Sequence, residues 1–173
     1  MNSSFRPVLA AVASFLVVGF LVAADTAIMV APGGSGGAEA LTLAPDLSFT
    51  NDSSGNFPIR GQNLDDGKIA SDRPTAIFFG TSHCWNTNRE AERFVALYPK
   101  ARQTARFLVV DLDHPSPDQK VLVSRFYRGS IPTLTFLDPA GKVVYNDAGE
   151  TSGRRGDTTR LEELLARAKV GGR

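Results

Sequence analysis

Apolar and polar positions change their spacing several times along the chain, and each spacing predicts a different element. From Val8 to Ala24 the sequence VLAAVASFLVVGFLVAA holds no charged residue, with Arg6 before it and Asp25 after. No polar face interrupts the run, which argues against a buried core helix and for an apolar helix directed to a membrane. Its length lies between the core of a signal peptide, about 7–15 residues, and a spanning helix, about 17–25. Residues 1–24 therefore read as a signal peptide or a transmembrane anchor. Val22 and Ala24 suit cleavage before Asp25, and Ala38 with Ala40 offers a second small-residue site before Leu41. Residues 25–40, which include PGGSGGAEA, read as a flexible linker.

Beyond Leu41 the spacing alternates between strand and helix. Pro74-Thr-Ala-Ile-Phe-Phe-Gly80 is a short apolar run bounded by Pro and Gly, as in a strand buried on both faces. Cys84 to Tyr98 places Thr87, Ala91, Phe94, Val95 and Tyr98 on one face of a helix, leaves Arg89, Glu90 and Arg93 off it, and stops at Pro99. Phe107–Leu112 is a second buried strand. Ser116-Pro117-Asp118-Gln119 is a capping box that opens a helix running to about Arg128. Thr133–Leu137 and Lys142–Tyr145 flank Asp138-Pro-Ala-Gly141, a type I turn, and so form a hairpin. A last helix starts near Asp157 or Thr158, with Leu161, Leu164, Leu165 and Ala168 on one face. Leu43, Leu47, Phe49 and Phe57 suggest an edge strand or hairpin ahead of these. The order β-α-β-α-β-β-α predicts an α/β domain, a mixed central sheet with helices on both faces, over residues 41–173.

Charge and cysteine content narrow the function classes. The 19 basic and 18 acidic residues leave a net charge of +1, with no basic tract, so nucleic acid is not an expected partner. After Arg6 the next basic residue is Arg60, while Asp25, Glu39, Asp46 and Asp52 intervene; this bias keeps the amino terminus inside and exports the rest, with the membrane as a partner through the first segment. Cys84 is the only cysteine, which removes any internal disulfide and any dithiol cycle within one chain. No cofactor is called for.

Candidate chemistry collects at two places. Cys84 sits where a buried strand turns into a helix, where free amides and the helix dipole stabilise a thiolate. Pro132, in Ser130-Ile-Pro-Thr133, stands immediately before a strand, where a cis X-Pro bond would expose main chain near that helix start. Together, Phe78-Phe-Gly-Thr-Ser-His-Cys84-Trp-Asn-Thr87 and Gly129-Ser-Ile-Pro-Thr-Leu-Thr-Phe136 resemble the thioredoxin-like superfamily over roughly Pro74–Lys169. The resemblance implies a thioredoxin-like fold and a cis-Pro at 132 whose neighbouring main chain, with Ile131, pairs with an extended substrate segment. Set against the family pattern Cys-x-x-Cys, Cys84 matches the attacking thiol, but Thr87 replaces the resolving one. His83 stands for the usual Trp, and Phe78 for the acid that many members bury six positions earlier. Loss of the second thiol and of the acid that assists it is chemically coherent.

These residues lead to three expectations. In the first, Cys84 is a catalytic monothiol that attacks a client thiol-disulfide and is released by an external thiol such as glutathione, with His83 and Thr87 supporting the thiolate. In the second, the domain is redox-inert and binds an extended peptide between Trp85 and Pro132. The third has His83, Cys84 and His114 ligate copper or zinc, although their spacing matches no common ligand pattern.

Overall fold

A computed structural model describes residues 40–61, 69 and 72–171. The apolar helix, the anchor or signal reading of residues 1–24 and nearly all of the linker lie outside the described residues. The first elements are two short strands, β1 (Thr42–Leu43) and β2 (Ile59–Arg60), paired antiparallel. Of the residues that suggested an edge strand or hairpin, Leu43 lies in β1, while Leu47, Phe49 and Phe57 lie in the irregular segment that joins the two strands.

That sheet has four strands: β3 (Thr75–Gly80), β4 (Arg106–Asp111), β5 (Thr133–Leu137) and β6 (Val143–Ala148), in the order β4-β3-β5-β6. β3 is central and buried along its whole length, which is why its sequence runs apolar without alternation. It pairs parallel with β4, Ile77 beside Leu108, and antiparallel with β5, Ile77 beside Thr135. β6 pairs antiparallel with β5 and forms the edge. Its strand extends three residues past the expected Tyr145, because the antiparallel ladder to β5 continues as far as Thr133 opposite Ala148.

Helices cover both faces, as expected. α1 (Trp85–Ala101) and α3 (Thr159–Val170) pack on one side, burying Phe94, Leu97, Leu161 and Leu164 against Ala76, Phe78 and Phe136. α2 (Pro117–Phe126) covers the other, with Leu122 and Phe126 against Ile77, Phe79, Leu108 and Val110. Alternate residues of β3 thus serve two separate cores. The capping box forms: the Ser116 hydroxyl accepts from the Gln119 amide at 3.2 Å, and the Gln119 carboxamide oxygen accepts from the Ser116 amide at 3.0 Å. The same Gln119 donates to the carbonyl of Val109, on the sheet-edge strand, at 2.9 Å.

Two helix expectations need correction. α1 does not stop at Pro99 but continues to Ala101. Proline so near the helix end forfeits one bond, to the Val95 carbonyl, while Leu97 and Ala101 on either side are buried and the Arg102 amide closes the turn on Tyr98 at 2.8 Å. α2 ends at Phe126, two residues early. The polar side assigned to α1 is also revised, since Glu90 and Arg93 are fully buried.

Candidate functional site

The carboxyl ends of β3 and β4 and the amino end of β5 meet at one edge of the sheet. Gly80 pairs with Asp111, and the Leu112 amide donates to the Gly80 carbonyl at 2.9 Å. On the other side the ladder ends at Phe79 opposite Thr133, so its next step sets Pro132 alongside Gly80. The Ile131–Pro132 peptide is cis. The Pro132 carbonyl accepts from the Gly149 amide at 2.7 Å, and the Thr133 hydroxyl donates to the Ser130 carbonyl at 2.6 Å, which pins both sides of the bend. No described residue hydrogen-bonds the main chain of Ile131.

Between Gly80 and α1 runs the loop that carries Cys84. Cys84 is the N-cap of α1, in extended backbone, with its carbonyl accepting from the Asn88 amide at 3.0 Å. The residue is partly exposed, and its thiol makes no capping bond. Two amides flanking it, of Ser82 and Trp85, are taken by carboxylates from distant segments. Ser82 N–H donates to Asp113 Oδ2 at 2.8 Å, and Trp85 N–H to Asp52 Oδ1 at 2.9 Å. The main-chain bond from Ser82, acting against burial and helped by the Ser82 hydroxyl and the nearby imidazoles of His114 and His83, holds the Asp113 carboxyl below its usual range.

Asp52 belongs to a strap, Ser48–Ser54, that is fastened to α1 by a buried side chain. Asn88 Nδ2 donates to the Ser48 carbonyl at 2.6 Å and to the Ser54 hydroxyl at 2.8 Å. The strap is also bonded internally, with the Ser48 amide on Ser54 Oγ at 2.7 Å and the Ser48 hydroxyl on Asn51 Oδ1 at 2.8 Å. Arg155 lies over the Phe49 ring at 3.8 Å and is itself paired with Glu92 at 2.9 Å.

Beneath the loop the site is apolar. The Phe78 ring packs on Phe94 at 5.5 Å and edge-on to Phe57 at 6.4 Å. Where many family members bury an acid, this chain thus places a phenyl ring, which can hold no proton. A side chain on Gly80 would meet Thr87 Cγ2 at 2.4 Å and Phe78 Cε1 at 2.8 Å, so Gly80 leaves room for the Thr87 methyl. In this packing the Thr87 hydroxyl is buried and has no hydrogen-bond partner among the described residues, so it makes no bond to the Cys84 thiol.

The remaining polar residues of α1 fix the segment between β6 and α3. Glu90 accepts from the Arg93 guanidinium at 2.6 Å and from the Thr151 hydroxyl at 2.7 Å. Arg93 also donates to Glu150 at 2.7 Å and to the Ser152 carbonyl at 2.6 Å. Burial works against the Arg93 charge, but its bonds to Glu150 and Glu90 outweigh that and hold its pKa above the usual guanidinium value. Arg89 pairs with Glu150 at 3.0 Å and lies 5.3 Å over the half-buried Trp85 ring.

The structure therefore gathers Cys84, Trp85 and Pro132 at one sheet edge, with Ile131 partly exposed beside them. His83 is exposed. His114 is exposed too, 3.6 Å from Asp111. Among the described residues no three His, Cys, Asp or Glu side chains are placed to hold a metal ion, so the His83, Cys84 and His114 grouping is not assembled. Sequence reasoning missed Asp52, Asn88, Asp113 and the Glu90–Arg93 pair. The first three lie in or contact irregular segments with no periodic signal. For the pair, a charged residue at helical spacing reads as solvent-facing until a covering segment is known.

No protein-family model matches the sequence, and no curated protein matches it significantly. Among solved structures, the chain is similar to the thioredoxin of Malassezia sympodialis, 18% identical over 58% of this chain and 78% of that one, TM-score 0.45. It is similar likewise to the thioredoxin of Fasciola hepatica, 22% identical over 57% and 84%, TM-score 0.45. A thioredoxin-like protein of Clostridium perfringens is 18% identical over 62% and 80%, TM-score 0.49. The strand order β4-β3-β5-β6, the helices on both faces, the cysteine at the start of α1 and the cis proline before β5 are the features shared with the family pattern. The described domain has the thioredoxin-like fold.

Proposed function

We propose that this protein carries out thiol-disulfide exchange through Cys84 alone. The observation that supports this best is the position of Cys84: partly exposed at the N-cap of a long helix, with its thiol free of any capping bond. In this reading the Cys84 thiolate attacks a mixed disulfide on a client. One sulfur–sulfur bond forms to Cys84, the old one breaks, and the client sulfur leaves as a thiolate that takes its proton from solvent, since Phe78 offers none. An external thiol then attacks the Cys84 disulfide, regenerates the thiolate and is itself oxidised to a disulfide. The apolar run Val8–Ala24 behind Arg6 supports action outside the membrane.

The test is to expose the full chain to bis(2-hydroxyethyl) disulfide and follow intact mass, beside Cys84→Ser. The expected outcome is one adduct on Cys84 that added thiol removes. A folded protein that gains no adduct over hours overturns the proposal. A membrane-impermeant maleimide applied to intact cells tests location, since it labels Cys84 only if the domain is exported.

One observation favours a second reading. The main chain of Ile131, which no described residue hydrogen-bonds, offers an edge for an extended peptide beside the cis proline. Peptide affinity that survives Cys84→Ser, with no adduct formed, would support a binding module instead.

A further inference from the structure

The loop of Cys84 is bracketed by carboxylates on both sides, through the amides of Ser82 and Trp85. The Asp52 carboxylate is the closer in sequence terms, bonded to the residue directly after the cysteine. It arrives from 33 positions upstream, on the strap that Asn88 fastens, and it is exposed and makes no ion pair among the described residues. The cation held over Trp85, Arg89, is already paired with Glu150, and Arg155, over the Phe49 ring of the strap, is paired with Glu92. His83 is the remaining titratable side chain of the loop, and it is exposed. The charge that hydrogen bonds fix beside the thiol is therefore that of the carboxylates, and it is negative.

We infer that Asp52 is a specificity-determining residue which makes Cys84 select cationic disulfides over anionic ones. The inference rests on the exchange reading above. A disulfide must bring a sulfur within bonding distance of Cys84, so charges a few atoms from that sulfur pass close to the carboxylate. At such separations, in the high dielectric of a partly exposed site, each unit charge alters the approach by about threefold or more. The strap matters because it fixes the carboxylate in place; a mobile one would average its field away.

The test compares three disulfides of similar size at pH 8 with the full chain: cystamine (cationic), bis(2-hydroxyethyl) disulfide (neutral) and 3,3′-dithiodipropionate (anionic). The rate of loss of the Cys84 thiol is measured for wild type and Asp52→Asn. Asparagine keeps an oxygen to accept the Trp85 amide and removes only the charge. A thiolate itself prefers cationic partners, so the reading is the change between variants. The ratio of cystamine to dithiodipropionate rates should fall about threefold to tenfold in Asp52→Asn, and 0.5 M salt should shrink the wild-type ratio towards the variant's. Should Asp52→Asn fail to fold, Asp52→Ser supplies an uncharged cap for the same comparison. A ratio that the substitutions leave unchanged overturns the role of Asp52 while exchange stands. A folded protein that does not react with the neutral disulfide overturns exchange itself, and this inference with it.

Discussion

Gly80→Ala isolates the contact that shapes the floor of the site. Gly80 ends β3 in ordinary strand conformation, not in the positive-φ region, so alanine meets no backbone penalty there. Reducing the freedom of the unfolded chain would by itself stabilise the variant by about 0.4–1 kcal/mol. Opposing this, the new methyl would lie 2.4 Å from Thr87 Cγ2 and 2.8 Å from Phe78 Cε1. Carbons pack at about 3.5–4.0 Å, so α1 or the strand must give by roughly an ångström. Both partners are fully buried, and Phe78 is wedged against Phe94. Overpacking of this kind costs about 1–3 kcal/mol. Steric crowding therefore wins, and a net loss of about 1–2 kcal/mol is expected. The assay is urea unfolding of Gly80→Ala, Thr87→Ser and the double variant. Serine deletes the clashing methyl and keeps the hydroxyl, so the double variant should lose less than the sum of the singles by more than about 0.5 kcal/mol. Additivity within that margin, or a Gly80→Ala protein more stable than wild type, would refute the argument.

Other expectations follow from the polar contacts. Arg93→Met leaves Glu90 buried without its ionic partner and should cost about 3–5 kcal/mol or prevent folding, which the urea midpoint measures; Arg93→Lys should rescue little, since one ammonium cannot span Glu90, Glu150 and the Ser152 carbonyl together. Asp113 has a folded pKa below its unfolded one, so its contribution is complete above the unfolded value, about 3.9, and disappears as pH falls through the folded one. Asp113→Asn should therefore flatten the stability-pH curve below about pH 4 and leave its slope near neutrality alone; an unaltered acid limb in a pH series of melts would contradict that cause. Asn88→Ala removes both bonds to the strap, and amide exchange over residues 48–54 should accelerate about tenfold or more while α3 stays protected.

Much of the scaffold was determined locally. β3 and β4 carry uninterrupted apolar runs, Ala76–Phe79 and Phe107–Val110, because these residues are buried on both faces, and α3 shows its buried side as four residues at helical spacing. The cis proline at 132 was legible only through the resemblance that its motif carries, whereas the Ser116 box is written in residues only a few positions apart. Cys84 could be placed at a strand-to-helix turn for the same reason. What surrounds that thiol was decided by tertiary structure alone. Asp52 and Asp113 reach the loop across 33 and 31 positions, and nothing in their local sequence marks them as its hydrogen-bond partners. Glu90 and Arg93 sit at spacings that read as solvent-facing, yet the segment after β6 covers them, and two opposite charges can be buried once each is bonded to the other and to main chain. Thr87 holds the position of a family cysteine in sequence, but its side chain is committed to the gap over Gly80. Periodicity reports which face of an element is apolar; it carries no record of which distant polar group will arrive at a given amide.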